Sequence, residues 1–326
     1  RECKGLLIEE ARTNLLTYSN TKVMSSPNLG GSPQTNDSVD NITLPTGEKG
    51  TVRRYLAASG GGGGRWGDYS GTNNQSYTGS VWVRTVSGTT SAILDINDGG
   101  GKTINLTTEW QRVTTTHSTN NSYRFFDIYF GSPTTIYYWG VQIEEGPFMT
   151  SYIPTNNATA TRGADIVDID GEDFTDFYNQ SESTIISSHT LLPTVPNAEN
   201  VYVYQIQDAS TNNVIRVIDK NSSYSNVATA LILNSGSSQA HFNNTTDSFT
   251  KDKVLVALSV KNNDFAASHN GSTAESDTSG TLATNFNSLG IGRYPPSGGY
   301  ELNGHIQRFI YYPKQLSDSQ LKTLTS

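Results

Sequence analysis

The feature that most restricts the fold of this chain is a series of short segments with a two-residue periodicity. In segment 77–88, YTGSVWVRTVSG, Val81 and Val83 alternate with Trp82 and Arg84, which is typical of a half-buried β-strand. Further strand-like segments follow at similar spacing, with polar turns between them. No segment of this half repeats its apolar residues every 3.6 positions over three turns. The pattern predicts an antiparallel β-sandwich.

Strand-like segments continue through the second half of the chain. Two dipeptides are suited to tight hairpin turns, Asp98-Gly99 in the first half and Asn270-Gly271 in the second. The second half is therefore also expected to be antiparallel and all-β.

The last residues break this pattern. In segment 316–325, LSDSQLKTLT, Ser317 is placed as a helix N-cap, and Leu321 and Leu324 lie on one helical face. Leu316 could act as a hydrophobic staple. We therefore expect one short C-terminal helix that packs on the last sandwich.

A change of character divides the chain near residues 160–168. Segment 151–165, SYIPTNNATATRGAD, contains Pro154 and small polar residues without apolar periodicity, which indicates an extended linker. A chain of 326 residues is long enough for two domains of ordinary size. The prediction is an all-β fold: two antiparallel β-sandwiches (jelly rolls) in series, residues 1–163 and 164–326, with one short C-terminal helix.

Composition limits the range of partners. The net charge is −8 and the sequence pI is about 5.1, so nucleic acid and anionic membrane are poor partners. No apolar run approaches the ~18 residues of a membrane span, so we expect no membrane insertion. The single cysteine, Cys3, cannot form an internal disulfide. Residue 1 is Arg rather than Met, and we expect the chain to be a fragment or a processed product.

One phrase occurs twice, as GLLIEE at 5–10 and as GVQIEE at 140–145. The sequences that follow the two copies share little, which argues against an internal repeat. We interpret them as strands near the two ends of the first sandwich. We expect Ile8 and Ile143 to face inward and to lie close together.

Each copy ends in a pair of glutamates, and glycosidases need two acids about 5–9.5 Å apart. Neighbours on a strand point to opposite faces, so neither pair can flank a glycosidic bond by itself. Paired strands could bring Glu10 near Glu144 or Glu145, but like charges placed opposite one another cost stability. A structural role is therefore favoured over catalysis.

Five segments together resemble phage tail-fibre and tail-tip receptor-binding proteins, and the part from Trp139 to Arg162 is the most specific. They are GLLIEEARTNLLTYS (5–19), TTEWQRVTTT (107–116), YYWGVQIEEGPFMTSYIPTNNATATRGAD (137–165), VALSVKNNDFAASHNG (256–271) and LGIGRYPPSGGYELNGHIQRFIYYPKQLSDSQLKTLT (289–325). In that family, a carbohydrate-binding-module-like jelly roll precedes a concanavalin A-like (laminin-G-like) sandwich. The resemblance implies that residues 1–163 are the jelly roll and that 164–326 are the second sandwich.

The same resemblance implies a function. The chain would be the non-catalytic receptor-binding part of a tail fibre or tail tip of the virion, a homotrimer that grips a host cell-surface polysaccharide and contacts other virion tail proteins. Two alternatives stay open: a tailspike-like polysaccharide depolymerase, and a structural virion module that contacts other tail proteins. The missing start would then have held virion-anchoring sequence.

A glycine-rich loop gives the first candidate binding residues. The run Gly60–Gly64 lacks the Lys-Ser/Thr ending of a nucleotide-binding loop, because Arg65 and Trp66 follow it. We expect this loop to present Arg65, Trp66, Asp68 and Tyr69 at its tip, where an aromatic plate and charged groups would suit a sugar. The alternatives are that Trp66 packs inward or that the loop lies in a subunit contact.

A second loop, 292–304 (GRYPPSGGYELNG), gives the other candidates. Arg293, Tyr294 and Tyr300 surround prolines that stiffen the loop and glycines that let it turn. They are expected to contact a glycan or a protein, and the alternative is a plain connection with surface tyrosines.

No cofactor is expected to be required. The run that begins at Asp95 lacks the terminal Glu of an EF-hand, and none of the five histidines has zinc-like spacing. Sandwiches of both suspected types often carry a structural calcium, and acidic or Asn-rich loops could hold one. The sequence does not select its ligands.

Overall fold

The computed structural model describes residues 4–20, 35–57, 62–96, 101–119, 123–191, 201–219, 228–243, 253–295 and 299–326. The chain divides into two compact units. The N-terminal module is Ala11–Arg162. The C-terminal module combines Gly163–Ser326 with the segment that contains the first strand, β1 (Leu6–Ile8).

The N-terminal module consists of antiparallel sheets. Its strands in the described part of the chain are β2 (Arg12–Asn14), β3 (Thr35–Thr43), β4 (Lys49–Ala57), β5 (Gly62–Ser70), β6 (Gln75–Thr85), β7 (Thr90–Ile96), β8 (Lys102–Leu106), β9 (Gln111–Thr119), β10 (Tyr123–Phe130), β11 (Thr134–Glu145) and β12 (Ala160–Arg162). One sheet has the order β3-β4-β11-β6-β9 and another has the order β5-β10-β7-β8, while β12 pairs with β2.

The two larger sheets of this module enclose one aromatic and aliphatic core. Val81 and Val83 of β6 face this core, as their alternation with Trp82 and Arg84 predicts. A Cβ at Gly79 would lie 2.7 Å from the ring of Phe126, so only glycine leaves space for that ring.

The C-terminal module is also an antiparallel β-structure. Besides β1, its elements are β13 (Asp168–Asp170), α1 (Gly171–Thr175), β14 (Glu182–Leu191), β15 (Val201–Gln207), β16 (Val214–Asp219), β17 (Thr229–Asn234), β18 (Ser237–Asn243), β19 (Val254–Lys261), β20 (Asp264–His269), β21 (Glu275–Asp277), β22 (Ser288–Ile291), β23 (Gly304–Tyr312) and α2 (Asp318–Leu324). The sheets have the orders β1-β23-β14-β19-β20-β21 and β13-β22-β15-β16-β17-β18. The all-β prediction is confirmed for both modules.

Side chains from both sheets meet inside this module. Tyr204 of β15 packs edge-on against Phe309 of β23, with ring centroids 5.4 Å apart. His189 of β14 and Asp219 of β16 form a buried pair, with Nε2 3.0 Å from Oδ2. Every residue of β15 is buried, so the face of this strand that points away from the core is covered as well.

The first strand contradicts the sequence interpretation. Ile8 and Ile143 are both fully buried, but β1 pairs with β23, where Ile8 lies opposite Gly304. A Cβ on Gly292 would approach Ile8 Cγ1 to 2.7 Å, so this glycine leaves the space that Ile8 fills. The prediction that β1 helps to bracket the first sandwich is wrong. The backbone N–H of Leu15, rather than a residue of β1, donates to the carbonyl of Ile143 at 2.8 Å.

The segment expected to be a linker is mostly part of the N-terminal module. Ile153 is buried, and its backbone N–H donates to Oε1 of Gln142 at 2.7 Å. β12 extends the pairing to Arg162. Polar composition concealed this packing because the segment satisfies its backbone groups through side chains of β11.

The turn and helix signals in the sequence predicted the structure better than the apparent linker did. Asn270 and Gly271 have φ values of +44° and +74°, as a tight turn between β20 and β21 requires. β7 pairs with β8 as expected, although Asp98 and Gly99 lie outside the described residues. At α2, the backbone N–H of Ser317 donates to Gln320 Oε1 at 2.9 Å.

The two helices differ in how far the sequence predicted them. Leu316 and Leu321 are buried in one cluster beneath α2, as the predicted staple requires. The single-turn helix α1 was not predicted, because five residues are too few to show a helical period.

Candidate functional site

The loop that connects β22 to β23 folds back toward β15. The backbone N–H of Tyr202 donates to the carbonyl of Tyr300 at 3.1 Å, and the N–H of Leu302 donates to the carbonyl of Gly292 at 2.8 Å. The N–H of Tyr294 donates to the carbonyl of Gly299 at 3.3 Å. These bonds hold both sides of the loop, whose residues 296–298 lie outside the described ones.

Three tyrosine rings meet here, and we call them the tyrosine cluster: Tyr202, Tyr294 and Tyr300. Their centroids lie 5.1 Å (Tyr202–Tyr294), 6.0 Å (Tyr202–Tyr300) and 6.2 Å (Tyr294–Tyr300) apart. Tyr202 is buried, Tyr294 is half-buried, and Tyr300 is 53% exposed. Tyr300 has φ +57°, a conformation that is uncommon for a bulky residue, so the loop bonds hold an exposed ring in place.

A cation lies beside the cluster. The guanidinium of Arg216 is 5.7 Å from the centroid of Tyr202, and its Nη1 donates to the Tyr202 hydroxyl at 3.3 Å. Its Nε is buried without a hydrogen-bond partner among the described residues. Burial raises the pKa of Tyr202 above its usual value, and Arg216 opposes only part of that shift. The phenol therefore stays protonated at neutral pH.

His241 of β18 belongs to the same neighbourhood. Arg216 lies opposite Leu231 in the sheet, and Leu231 lies opposite His241. Burial, and then the charge of Arg216, lower the pKa of His241 below its usual value. The imidazole is therefore neutral at neutral pH, and Arg216 is the cation of this area.

The first of the predicted loop residues has an internal role. Arg293 is buried, and its Nη1 lies 3.4 Å from Asp168 Oδ2. Burial raises the pKa of Asp168, and the charge of Arg293 lowers it in part. Arg293 is thus an anchor of the loop rather than an exposed contact, whereas Tyr294 and Tyr300 come together as one surface.

The other predicted group does not form a loop tip. Trp66 lies in strand β5, is 0% exposed, and packs on Phe126 with centroids 4.8 Å apart. This corrects the expectation that it faces a ligand. Gly62, Gly63 and Gly64 belong to the same strand, where their lack of side chains hid the strand from pattern analysis.

Arg65 is also largely internal. Its Nε donates to Asp127 Oδ1 at 2.9 Å and its Nη2 to Oδ2 at 3.1 Å. Its guanidinium lies 3.5 Å from the ring centroid of Phe125. Asp68 and Tyr69 are in β5, but their side chains lie outside the described ones, so their proposed contacts stay predictions.

The glutamate pairs are divided between the modules. Glu9 and Glu10 belong to the C-terminal module, and Glu144 and Glu145 belong to the N-terminal module. Glu144 is fully buried and accepts hydrogen bonds from both the backbone N–H and the hydroxyl of Thr150. Its carboxylate therefore serves to hold the following segment.

Sequence reasoning missed Tyr202 and Arg216. The segment VYVYQIQ is uniformly apolar or amide, so it did not show which tyrosine faces out. A register shift between Tyr202 and Tyr204 changes the alternation, and Tyr204 packs in the core instead. In the sequence, the basic residue Arg216 between apolar neighbours was the only sign that could have pointed to this site.

The described residues contain neither a metal-binding cluster nor a membrane-spanning helix. No group of three or more His, Cys, Asp or Glu side chains there could hold a metal ion. In the same residues, no helix is long and apolar enough to cross a membrane.

No protein-family model matches the chain, and no curated protein matches it in sequence. Among solved structures, the chain is similar to the CBM40 of the Ruminococcus gnavus IT-sialidase, with 15% identity over 49% of this chain and 92% of that one (TM-score 0.40). It is also similar to mouse laminin α1 domains LG4-5, with 9% identity over 98% and 93% (TM-score 0.35).

A third similar structure is the CBM22-1-CBM22-2 tandem of Paenibacillus barcinonensis Xyn10C, with 9% identity over 94% of this chain and 99% of that one (TM-score 0.33). At these identities and scores, the comparisons do not identify a binding site. We therefore infer the function from the side chains of this chain.

Proposed function

We propose that this protein binds saccharides without cleaving them, through the tyrosine cluster. The observation that carries the proposal is the set of three rings 5.1–6.2 Å apart, one of them 53% exposed and held by loop hydrogen bonds. Sugar rings have apolar C–H faces that pack on aromatic rings, and their hydroxyls pair with phenol and guanidinium groups. Tyr300 supplies the open ring, and Arg216 and Tyr202 supply donors behind it.

The acidity of this module favours an uncharged sugar. Outside Ala11–Arg162 the chain has 11 Lys and Arg against 20 Asp and Glu, a net charge of −9. An anionic ligand would be repelled at long range. A neutral saccharide has no such penalty.

The setting we propose is a phage tail fibre or tail tip, where a homotrimer contacts other virion tail proteins and grips a host polysaccharide. The support is the resemblance of the segment from Trp139 to Arg162, and of the other segments quoted above, to phage tail-fibre and tail-tip receptor-binding proteins. A site with a millimolar Kd, or ~4 kcal/mol, becomes effective when three copies engage one polymer. A depolymerase would release reducing ends from that polymer, and a purely structural module would bind a tail protein and no glycan.

The test compares two exposed tyrosines by affinity electrophoresis in gels that contain neutral polysaccharides such as dextran, mannan and galactan. Tyr300→Ala should weaken binding about tenfold, or ~1.4 kcal/mol. Tyr18→Ala is the matched control, since Tyr18 is 43% exposed in the other module and also has a positive φ, +59°. Tyr300→Phe should retain most of the affinity because the ring remains.

Equal retardation of Tyr300→Ala and the unchanged protein would contradict the proposal. So would a protein that binds none of the neutral polymers. Accumulation of reducing ends during incubation would instead show that the protein is a depolymerase.

A further inference from the structure

The N-terminal module has its own aromatic surface, on the side of the five-stranded sheet that points away from the core. Val83, Tyr138 and Val113 face the core, so their neighbours along β6, β11 and β9 point the other way. We call the resulting surface the tryptophan–arginine face. Its members are Arg54, Trp82, Arg84, Arg112, Tyr137 and Trp139.

Strand register arranges these six side chains in two rows. Tyr137 lies between Arg54 and Arg84 across β4, β11 and β6. In the second row, Trp82 lies between Trp139 and Arg112. Neighbouring strands are ~4.8 Å apart, so each row spans roughly 10 Å, which is enough for one or two sugar rings.

Arg84 is held between two aromatic rings. Its guanidinium lies 5.0 Å from the ring centroid of Tyr137 and 5.3 Å from that of Trp110, so two aromatic faces hold it. Trp110 is fixed in turn, because its Nε1 donates to the carbonyl of Thr43 at 2.8 Å. The position of the cation is therefore set before any ligand arrives.

The guanidinium retains unused hydrogen-bonding capacity. Among the described residues its one hydrogen bond runs from Nη1 to the carbonyl of Thr108 at 3.2 Å, and its Nε is buried with no acceptor. None of the described carboxylates forms an ion pair with it. Nη2 makes no hydrogen bond among the described residues, so Nη2 and the second N–H of Nη1 can receive a carboxylate or sulfate through two parallel hydrogen bonds.

Few acidic residues lie on the strands of this face. Strands β4, β6 and β9 contain no acidic residue, and the outward-facing acid of β11, Glu144, is buried against Thr150. Asp37 of β3 pairs with Arg54, and both are about two-fifths exposed. Arg84 therefore gives the middle of the face a positive charge.

The N-terminal module as a whole is also more positively charged than the rest of the chain. Ala11–Arg162 contains 11 Lys and Arg against 10 Asp and Glu, a net charge of +1, within a chain whose net charge is −8. An anionic ligand would therefore favour this module over the other one.

One end of the face is closed and the other is open. At the closed end, the ring of Tyr152 packs against Trp139 with centroids 4.7 Å apart and an interplanar angle of 52°. At the open end, Leu56 and Thr135 line a groove whose other residues are mainly Ser and Thr, such as Ser87 and Thr90. Leu56 and Thr135 are two positions from Arg54 and Tyr137, so the hydroxyl-lined groove continues the face.

We propose that the tryptophan–arginine face binds an acidic saccharide, with the anionic group on Arg84 and the sugar ring on Trp82. The anionic group is a carboxylate or a sulfate ester, and the groove receives the neighbouring hydroxyls. This site lies in a different module from the tyrosine cluster and takes a ligand of different charge. It does not depend on the function proposed for that cluster.

The test is a calorimetric titration of the whole chain with short oligogalacturonates, with sulfated dextran oligomers and with neutral dextran oligomers. Arg84→Met removes the charge and keeps an apolar stem. Arg308→Met makes the same change at an exposed arginine of β23, in the other module. Trp82→Leu is the second variant, and thermal unfolding checks that each variant folds.

We expect at least one acidic oligomer to bind, Arg84→Met to weaken it about tenfold, and Arg308→Met to leave it within about twofold. Trp82→Leu should weaken it by a smaller factor, because it removes the stacking surface and leaves the charge. Binding should also fall as NaCl rises from about 0.05 M to about 0.5 M. The oligomer that binds identifies the anion as a carboxylate or a sulfate.

Unchanged affinity of Arg84→Met for the acidic oligomers, or their failure to bind the original chain, would overturn the proposal. So would a dimer or trimer that dissociates in Arg84→Met and binds no acidic oligomer, because the face would then be a contact between copies. Tyr300→Ala should leave acidic binding intact, and Arg84→Met should leave neutral binding intact. A failure of either site is thus distinguishable from a failure of the other.

Discussion

The two modules are both antiparallel β-structures, but their outward-facing aromatic residues lie on different elements. In the C-terminal module, the exposed ring belongs to a loop, and Tyr300 stands beside rings that are progressively more buried. In the N-terminal module, the aromatic residues of the outward face belong to strands and alternate with arginines. The modules also differ in net charge, which is −9 outside Ala11–Arg162 and +1 within it. Two modules of similar architecture thus present different surfaces, to which we assign different saccharides in our proposals.

The core of the N-terminal module gives the largest expected effect. Trp66→Ala should reduce the free energy of unfolding by about 3–5 kcal/mol, since it leaves a cavity beside Phe126 and Tyr138. Calorimetry should then show this module unfolding at a lower temperature, while the C-terminal module is unchanged. Trp82→Ala, on the half-buried outward face, should cost less.

One combined transition that shifts as a whole in Trp66→Ala would mean that the modules do not unfold separately. The comparison between them would then have to be made on the intact chain only.

Two arginine–aspartate pairs of the N-terminal module should respond very differently. Arg65→Met leaves the fully buried Asp127 carboxylate without its charged partner and should cost about 3 kcal/mol. Arg54→Met breaks an exposed pair that solvent screens, so it should cost much less than Arg65→Met. Urea unfolding of both variants measures the two costs, and similar values would refute the assignment of Arg65 to a structural role.

The smallest expected effect concerns His241 in the C-terminal module. Its folded-state pKa is lowered by burial and by Arg216, so the unfolded chain binds the proton more readily. Stability linked to this group is present above the unfolded pKa and is lost as the pH falls through the lowered one. His241→Gln should therefore flatten the pH dependence of unfolding below about pH 6.5. A steeper or identical profile would contradict this.

Local patterns predicted more of the fold than of the sites. The alternation around Val81 and Val83 predicted the sandwich class, and Ser317 as N-cap predicted the start of α2. Both signals depend only on residues close together in sequence, and sequence patterns reveal such local relations. The two copies of the Ile-Glu-Glu phrase show the limit, because partners distant in sequence, β23 and β6, determine where each copy belongs.

A residue can belong to a site only if its side chain points away from the core, and the sequence showed that direction only in part. Trp66 follows glycines that carry no alternation, so its inward direction was hidden. Trp82 and Arg84 did alternate with core valines, which placed them on an outward face. Only the register showed that Tyr137, Trp139 and Arg112 share that face.

The central claim is that the chain has two saccharide surfaces, one in each module, that differ in charge preference. The most direct measurement titrates an acidic oligosaccharide into the protein with and without a saturating neutral one. The account predicts the same affinity and stoichiometry in both titrations, because the two ligands occupy the tryptophan–arginine face and the tyrosine cluster separately. Loss of acidic binding in the presence of the neutral saccharide would show one shared site and would contradict the account.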